Sequence, residues 1–348
     1  MDTQPDRQEF YSRIAGAGLA PLWEVMKNLI TKEPKSAAVP YIWRYETVRP
    51  FVLEAGGIIT AKEAERRVLI LENPGLPGQS RITNTLYAGL QLILPGEVAP
   101  AHRHSQSALR FVVEGSGAYT AVDGEKTVMR PGDFVITPSW TWHDHGNESA
   151  EPMVWLDGLD IPIVGFLDAS FAEGHSDDMQ MLSRPAGDSH ARFGEGLLPV
   201  GFERRSPASP VFNYPYERTR AALETLRRTQ EWDPCNGLHM RYVNPLDGGW
   251  AMPTIGTSIQ LLPKGFSTAP YRATDGTVFC CTEGRGKTHV FGPGGKLETL
   301  EWGPRDIFVV PSWNWRRHEA SEDAVLFAFS DRPVQEKLGL WREARGNA

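Results

Sequence analysis

The spacing of apolar residues predicts helices near the start and in the middle of the chain. Over residues 22–30 apolar side chains recur at steps of three and four, so they form a stripe along one face of a helix. Thr60 and Glu63 have the spacing of a capping box, which predicts that another helix starts at residue 60. A further helix is predicted near residues 217–230, where apolar residues again share one side.

Short β-branched and aromatic runs dominate two longer segments. From Thr85 to Leu167 these runs are interrupted by turn signals such as Pro-Gly and Asp-Gly at intervals of roughly 8–20 residues, which is typical of an antiparallel sandwich or barrel. The same pattern of short runs and turn signals occurs again from Thr257 to about Phe329. Residues 174–215 are rich in Ser, Pro, Gly and Asp, so we interpret them as a linker.

The second β segment repeats the first. The matching stretches are 90–96 with 259–265, 114–117 with 283–286, and 138–140 with 311–313. The first two pairs are separated by 169 positions and the third by 173, a difference that a small loop insertion explains. We therefore expect a duplicated β-domain. The predicted organisation is a helical lead-in (1–84), a first barrel (85–173), a linker with a helix (174–250), and a second barrel with a C-terminal tail (251–348).

Composition excludes several classes of protein. A chain of 348 residues with 41% hydrophobic and 23% charged residues is ordinary for a globular protein with a sizeable core. The net charge of -7, with dispersed basic residues, argues against nucleic acid or an anionic membrane as a partner. Three cysteines without a Cys-x-x-Cys motif argue against a disulfide framework or a zinc ribbon. The N-terminus is polar and unlike a signal peptide, so we expect a cytoplasmic protein.

Two pairs of histidines carry the candidate chemistry. His102 and His104 are two residues apart, as are His143 and His145, so on strands each pair shares one face. Three neutral imidazoles suit a divalent transition metal. The alternative for a single His-x-His pair is a pair of exposed or core histidines, but two pairs favour a metal site.

The second copy lacks these ligands. Tyr271 and Ala273 stand where the first histidine pair stands, and Arg316 stands where His143 does. Alanine has no ligand atom, and a guanidinium is charged and can only donate hydrogen bonds. We therefore expect one metal ion per chain, held by the first copy.

The glycines and prolines around the histidines resemble the paired motifs of the cupin superfamily. The patterns are G-x5-H-x-H at 96–104 and G-x5-P-x4-H-x3-N at 132–147. Where cupins commonly place a glutamate ligand, this chain has Ala108 and Leu109. Within the superfamily, the stretches 102–111 and 137–147 look like the metal motifs of the gentisate 1,2-dioxygenase family, and the resemblance covers roughly residues 10–340.

The resemblance implies a mainly β fold and an enzyme activity. The implied fold is a bicupin, with two conical antiparallel β-barrels (double-stranded β-helices) and helices in the N-terminal region and the linker. The implied cofactor is one Fe(II) per chain, on His102, His104 and His143. With O2, such enzymes open an aromatic ring between a carboxylated carbon and the adjacent hydroxylated carbon, which converts gentisate (2,5-dihydroxybenzoate) to maleylpyruvate. A homotetramer is also implied. Salicylate and 1-hydroxy-2-naphthoate dioxygenases share this arrangement, so the preferred ortho-hydroxy acid stays open.

Two further residues are candidates for catalysis and substrate binding. Strand alternation from His104 places Arg110 on the metal face, where a guanidinium would pair with a substrate carboxylate. The alternative for Arg110 is a surface salt bridge. His145 could bond to substrate or move protons, although the second copy repeats it as His318, which also fits a structural role.

The resemblance marks four more positions as catalytic or substrate-lining. Tyr87 matches an aromatic wall, and Arg66 and Asp157 match substrate-lining positions, with Asp157 also a catalytic candidate. Gln91 is a substrate-binding candidate, but Gln260 repeats it. The plainer alternatives are a core aromatic residue for Tyr87 and an ordinary ion pair for Arg66 and Asp157.

Two other classes of protein fit the sequence less well than a dioxygenase. A cupin metal isomerase acting on phosphosugars would need several basic residues for the phosphate and usually a carboxylate ligand, and the carboxylate is absent here. A non-catalytic bicupin would have no reason to keep His102, His104 and His143 together in one barrel.

Overall fold

The computed structural model describes residues 6–229, 231–292 and 295–346. The chain divides into two compact units, Met1–Lys35 and Ser36–Ala348. The first unit contains helices α1 (Arg7–Gly16) and α2 (Leu22–Leu29), so the helix predicted over 22–30 is confirmed. The indole Nε1 of Trp23 donates to the hydroxyl of Tyr11 at 2.7 Å and ties the two helices together.

Within the described residues, the second unit contains the strands and five more helices. The helices are α3 (Tyr45–Ile58), α4 (Ile161–Phe166), α5 (Asp188–Phe193), α6 (Tyr216–Arg227) and α7 (Arg332–Lys337). Strands up to the linker are β1 (Tyr41–Trp43), β2 (Val68–Ile70), β3 (Tyr87–Ile93), β4 (Val98–His104), β5 (Ala108–Glu114), β6 (Ala118–Val122), β7 (Glu125–Val128), β8 (Phe134–Thr137), β9 (His143–Asn147), β10 (Met153–Leu159) and β11 (Ala172–Gly174). The later strands are β12 (Asn213–Tyr214), β13 (Leu238–Arg241), β14 (Gly256–Leu262), β15 (Tyr271–Ala273), β16 (Thr277–Glu283), β17 (Gly286–Phe291), β18 (Leu297–Trp302), β19 (Ile307–Val310), β20 (Trp315–Ala320), β21 (Ala324–Ser330) and β22 (Glu343–Arg345).

These strands form two pairs of antiparallel sheets. The first barrel combines the order β12-β8-β5-β10-β3-β2 with the order β11-β4-β9-β6-β7. The second combines β1-β19-β16-β21-β14-β13 with β18-β17-β20-β15-β22. Inside the first barrel, Ala118 of β6 packs in one buried cluster with Val112 and Trp155 of the opposite sheet. The predicted fold class, mainly β with two antiparallel barrels, is confirmed.

Each barrel also uses strands from outside the segments 85–173 and 251–348. β2 and β12 join the first barrel, and β1 and β13 join the second. β1 precedes the first barrel in the chain but pairs with β19 of the second. The extra strands cover sheet edges that would otherwise expose unpaired backbone groups. The boundaries between the four predicted segments stay a prediction.

The two barrels pack against each other through a continuous apolar core. Phe111 of β5 stacks on Phe327 of β21 with ring centroids 4.0 Å apart and planes 9° from parallel. Gly158 allows close approach, because a Cβ there would lie 2.8 Å from the Cε2 atom of Phe329. The first barrel is therefore anchored on one side by the second.

The duplication is visible in an arginine held between two tryptophans. The guanidinium carbon of Arg103 lies 4.5 Å from the ring centroid of Trp140 and 4.6 Å from that of Trp142. In the second barrel Arg272 lies 4.2 and 4.6 Å from the equivalent two rings. Arg103 follows His102 and points to the opposite face of β4, so this stacking fixes the strand that carries the first histidine pair.

The helix predicted from residue 60 does not form, and that prediction is wrong. The hydroxyl of Thr60 does accept from the backbone N–H of Glu63 at 3.1 Å, but only turns follow. Glu65 has a φ of 54°, in the left-handed region, which prevents the helix from continuing. The backbone N–H of Leu92 then bonds to the carbonyl of Arg67 at 3.1 Å, so the chain joins the sheet as β2. Strand pairing overrides the local capping signal.

The linker helix predicted near 217–230 is confirmed as α6, and Gln230 lies outside the described residues. None of the helices in the described ranges has the length and apolar composition that a membrane span requires.

Candidate active site

Two neighbouring strands of the first barrel bring three histidines together. β4 and β9 pair antiparallel, with His102 directly opposite His143. The ring centroid of His143 lies 4.4 Å from that of His102 and 4.8 Å from that of His104. One potential ligand nitrogen from each ring lies within 4.8 Å of the others, which is close enough for one metal ion.

Backbone carbonyls fix the tautomer of two of these rings. Nδ1 of His104 lies 2.9 Å from the carbonyl oxygen of Gln106, and Nδ1 of His143 lies 3.0 Å from that of Thr141. A carbonyl can only accept, so each Nδ1 carries the proton and each Nε2 keeps a lone pair. Nε2 of His143 is buried and has no hydrogen-bond partner among the described residues. A buried acceptor left in this state fits a metal ligand.

The three rings are neutral at physiological pH. Burial, together with the positive charges of Arg66 and Arg110, lowers the pKa of His102 to about 2 and that of His104 to about 4. The same causes hold the pKa of His143 well below its ordinary value. Neutral imidazoles are the form that binds metal.

The group of metal-binding side chains found in the described ranges contains these histidines and no carboxylate. Ala108 and Leu109 occupy the start of β5 and are buried. Glu114 at the other end of β5 accepts hydrogen bonds from Arg49 at 2.6 Å and from the hydroxyl of Tyr45 at 2.9 Å. The carboxylate of Glu114 is therefore engaged away from the histidines.

Arg110 is a buried cation in the middle of β5, with 3% of its surface exposed. The surface salt bridge considered for it is therefore wrong. One terminal nitrogen donates to the hydroxyl of Thr137, and Nη2 lies 3.0 Å from Nε2 of His145. Its Nε lies 3.9 Å from Oδ1 of Asp157, the residue opposite Arg110 on β10. Each terminal nitrogen carries two hydrogens, so each keeps one for a further acceptor.

The charges of Arg110 and Asp157 balance in this buried setting. Burial lowers the pKa of Arg110 to about 10, so the guanidinium stays charged at neutral pH. Burial raises the pKa of Asp157 to about 6, against the opposing effects of Arg110 and of the indole N–H of Trp155, which donates to Oδ1 at 2.9 Å. At pH 7 the pair is mostly ionised.

Both ring nitrogens of His145 are engaged within the protein. A guanidinium can only donate, so Nε2 accepts from Arg110 and the proton lies on Nδ1, 3.0 Å from the hydroxyl oxygen of Thr120. Burial holds the pKa of His145 well below its ordinary value. In the second barrel His318 likewise lies 2.7 Å from the hydroxyl of Thr288. The histidine–threonine pair belongs to both barrels, and the first barrel also uses it to hold Arg110.

The remaining candidates surround this group at different distances. Arg66 lies in the turn before β2, with Nη2 3.4 Å from Nε2 of His102 and Nη1 donating to the carbonyl of Pro100 at 3.1 Å. Tyr87 is half-buried, and burial together with the charge of Asp157 raises its pKa, so the hydroxyl stays protonated. Gln91 is buried on β3, opposite Trp155 of β10.

Sequence reasoning missed Thr120, Thr137 and Trp155, which orient His145, Arg110 and Asp157 respectively. A comparison of the two copies contains a signal for one of them. Position 137 is threonine in the first copy and Val310 in the second, and position 110 is arginine where the second copy has Phe279. Strands β5 and β8, which carry these two positions, pair with each other, so the polar pair is replaced as a unit by an apolar pair.

The chain is similar to a known domain family, to proteins of known activity and to solved structures. Residues 89–159 match the cupin domain. The chain is 61% identical over 340 residues to gentisate 1,2 dioxygenase 1 of Aquipseudomonas alcaligenes, which covers 98% of this chain and 96% of that protein. It is 39% identical over 347 residues to 5-aminosalicylate 1,2-dioxygenase of Comamonas sp, with 98% and 90% covered. A crystal structure of salicylate 1,2-dioxygenase from Pseudoaminobacter salicylatoxidans in adducts with gentisate is similar with a TM-score of 0.92 at 36% identity, covering 100% of this chain and 96% of that one.

These similarities extend over nearly the whole chain, so they include both barrels and not only the cupin segment. They confirm the predicted enzyme class, a ring-cleaving oxidoreductase. The chain therefore belongs to the gentisate 1,2-dioxygenase family of ring-cleaving cupin enzymes.

Proposed function

We propose that this protein is an Fe(II)-dependent dioxygenase that opens the ring of gentisate between the carboxylated carbon and the adjacent hydroxylated carbon, giving maleylpyruvate. The observation that carries the proposal is the buried Arg110 beside three neutral histidines without a carboxylate. A cation placed next to a metal site fits a substrate that brings its own carboxylate. The 61% identity to a gentisate 1,2-dioxygenase supports the choice of substrate.

His102, His104 and His143 would hold the metal ion. When bound, Fe(II) supplies a Lewis acid for the carboxylate and ortho-hydroxyl of the substrate and electron-transfer chemistry toward O2. Imidazole ligands alone do not select iron over manganese, nickel or zinc, so the choice of Fe(II) follows from the family.

Arg110 would bind the carboxylate of the substrate. Its charge is held in a buried, water-poor position, where an ion pair is stronger than at the surface. Thr137 and His145 fix the plane of the guanidinium, so the hydrogens left on its terminal nitrogens have a defined direction. Such fixed orientation of the substrate is the main contribution that we assign to the protein itself.

We assign roles to the other candidates from their positions. Asp157 has a pKa of about 6 and lies beside Arg110, so it is the carboxylate in the site that exchanges a proton near neutral pH. Arg66 and Tyr87 would contact the substrate from the side of β2 and β3. Gln91 is buried on β3, and we propose that its amide contacts the substrate from that strand.

The experiment that tests this proposal is O2 uptake by the Fe(II)-loaded protein with gentisate, salicylate and 1-hydroxy-2-naphthoate. These acids share the carboxylate and ortho-hydroxyl, so differences in their rates of O2 uptake show which other ring substituents the enzyme prefers. We expect uptake of one O2 per gentisate consumed, with maleylpyruvate as the product. Faster turnover of salicylate or hydroxynaphthoate would reassign the substrate within the family. Absence of uptake with all three would favour the metal isomerase or the non-catalytic bicupin.

We also propose that the enzyme is a homotetramer, as the family resemblance implies, and that it is cytoplasmic. In the single chain several large apolar side chains are exposed over residues 166–200, among them Phe166 at 87% and Met181 at 82%. Such surfaces are typical of contacts between subunits. Light scattering should give a mass four times the 38.7 kDa of one chain.

A further inference from the structure

The second barrel encloses a cavity of about 270 Å³ at the position that corresponds to the metal site of the first barrel. Gln260, Tyr271, Phe279 and Arg316 line it. In the repeat these residues take the positions of Gln91, His102, Arg110 and His143, in that order. The second barrel has thus lost a set of metal ligands and gained a cation in the same place.

Arg316 is a buried guanidinium with incomplete bonding. It is 8% exposed, and none of the ion pairs within 4.0 Å in the described part of the chain includes it. Its Nη2 makes one long hydrogen bond, 3.5 Å to Oδ1 of Asn236, and its Nε is buried without a partner among the described residues. The rings of Tyr271 and Phe279 lie 4.6 and 5.2 Å from its guanidinium carbon, and the charge of Asp275 acts on it from beyond ion-pair distance. A buried charge without a direct ion pair is costly, so the guanidinium favours an anionic occupant in contact with it.

Two further nitrogens near this cavity are unpaired. Nε2 of Gln260, an amide donor, is buried without a partner among the described residues, and so is Nε2 of His318, whose ring packs edge-on against Phe279 at 5.3 Å. The hydroxyl oxygen of Thr288 accepts from the indole of Trp302 at 2.9 Å and lies 2.7 Å from Nδ1 of His318.

The carboxylates in the lining limit the charge of the occupant. Asp233 is paired with Arg345 at 2.5 Å, and Glu343 accepts from the hydroxyl of Tyr271 at 2.8 Å. Asp275 accepts from an indole N–H at 3.0 Å. Arg332 also lines the cavity and is paired with Glu336. Asp275 and Glu343 form no ion pair among the described residues, so their negative charges would repel a dianion such as a phosphate ester. An occupant with one negative charge, placed on Arg316, is the better match.

Apolar side chains form the smaller part of the lining, and the larger part is polar. Phe279, Phe329, Ala328 and Trp250 contribute to the walls. A cavity of about 150 Å³ is known to accept a benzene ring, so this one has room for one ring and a carboxylate. We propose that the second barrel is a binding site for a small aromatic monocarboxylate, with the carboxylate on Arg316 and Gln260 and the ring against Phe279 and Phe329. The site needs no metal and performs no chemistry, so it goes beyond the proposed ring cleavage.

Benzoate binding to the metal-loaded protein, measured by isothermal titration calorimetry, tests the proposal. We expect two benzoate sites per chain in the unaltered protein. Arg110→Met removes the one in the first barrel, and Arg316→Met weakens the other at least about tenfold. Arg317→Met is the matched control. The side chain of Arg317 lies on the face of β20 opposite to Arg316 and pairs with Glu319. A second site that survives Arg316→Met unchanged would overturn the proposal.

A second measurement covers the case in which Arg316→Met fails to fold. A crystal of the unaltered protein soaked with 4-bromobenzoate should show anomalous bromine density inside the second barrel, and its absence there would also overturn the proposal. Gln260→Leu should weaken the same site. Gentisate-dependent O2 uptake should be unchanged in Arg316→Met. Failure of ring cleavage with an intact Arg316-dependent site would count against the proposed function only.

Discussion

Nη2 of Arg110 lies 3.0 Å from Nε2 of His145, and this contact distinguishes the first barrel from the second. Both barrels contain a histidine bonded to a threonine, but only in the first does an arginine use the free ring nitrogen. In the second barrel Phe279 stands at the position of Arg110 and packs edge-on against His318. One inherited structural histidine has thus become the support of a substrate-binding cation.

Replacing Arg110 should mainly damage substrate binding. Arg110→Met removes the charge and the donors while keeping an unbranched apolar side chain of similar length. We expect kcat/KM for gentisate to fall about 100-fold or more, chiefly through KM, because a buried charge pair is lost. Steady-state kinetics at saturating iron measure this. Arg110→Lys keeps the charge without the planar fork and should recover only part of the loss.

Metal content provides the control for these two variants. Both should retain iron at the level of the unaltered protein, because Arg110 is not a ligand. Unchanged kinetics in Arg110→Met would show that the substrate carboxylate binds elsewhere.

His145 should act through Arg110 and not as a proton carrier. His145→Leu removes the acceptor for the guanidinium, so we expect KM to rise with a smaller change in kcat. His145→Gln places an amide oxygen that can accept from Arg110 and should recover much of the affinity. The pKa of His145 is held well below its ordinary value, so the activity profile between pH 6 and 8 should not change in either variant. A loss of kcat with constant KM, or loss of a titration step in that range, would instead indicate proton transfer.

Removing one histidine of the cluster should abolish metal binding while the barrel stays folded. His104→Ala deletes a ligand from a half-buried position at the end of β4, away from the apolar core. We expect iron content near zero, no O2 uptake, and an unfolding temperature close to that of the metal-free parent. His190→Ala, in α5 outside the cluster, is the matched control and should keep both metal and activity. Normal iron content in His104→Ala would exclude His104 as a ligand.

The buried carboxyl of Asp160 should make stability depend on pH. Asp160 accepts from the backbone N–H of Ser107 at 2.9 Å and from the hydroxyl of Thr254 at 2.5 Å, and burial raises its pKa from 3.8 to about 6. The folded state therefore keeps this proton to higher pH than the unfolded state does. Its contribution is most favourable below pH 4 and is lost as the pH rises toward 6, by at most about 3 kcal/mol.

Asp160→Asn removes this titration. The free energy of unfolding of the variant, relative to the unaltered protein, should therefore increase by up to about 3 kcal/mol between pH 4 and 7. Denaturant unfolding at the two pH values measures the difference. Asp168→Asn, which changes an exposed carboxyl near α4, is the control for the loss of one negative charge. An equal difference at both pH values would mean that Asp160 does not titrate in this range.

Much of the site could be predicted because strand alternation acts over short distances. The i, i+2 rule places His102 with His104. Arg110 is buried, but the alternation from His104 is not the reason, because β4 ends at His104 and β5 begins at Ala108 in the opposite sheet. The contacts of Thr120 and Trp155 could not be predicted, because they depend on hydrogen bonds between side chains whose relative position only the folded barrel sets.

The two barrels could be predicted because their sequence pattern occurs twice. The short strands that join them could not. Three matching stretches in each half indicate two barrels, but β1 and β12 are only 3 and 2 residues long and carry no periodic pattern of their own. After Thr60 the sequence signal was present but the predicted helix does not form. The capping contact of Thr60 is made, yet the residues that follow the turn pair with β3 as strand β2.

We expect a single iron site, in the first barrel, to perform ring cleavage. Titration of metal-free protein with Fe(II) under anaerobic conditions, followed by gentisate-dependent O2 uptake on each sample, measures the number of active sites. Activity should rise linearly to one equivalent of iron per chain and then stay constant. Activity that keeps rising to two equivalents, or that is already present in the metal-free protein, would contradict this expectation.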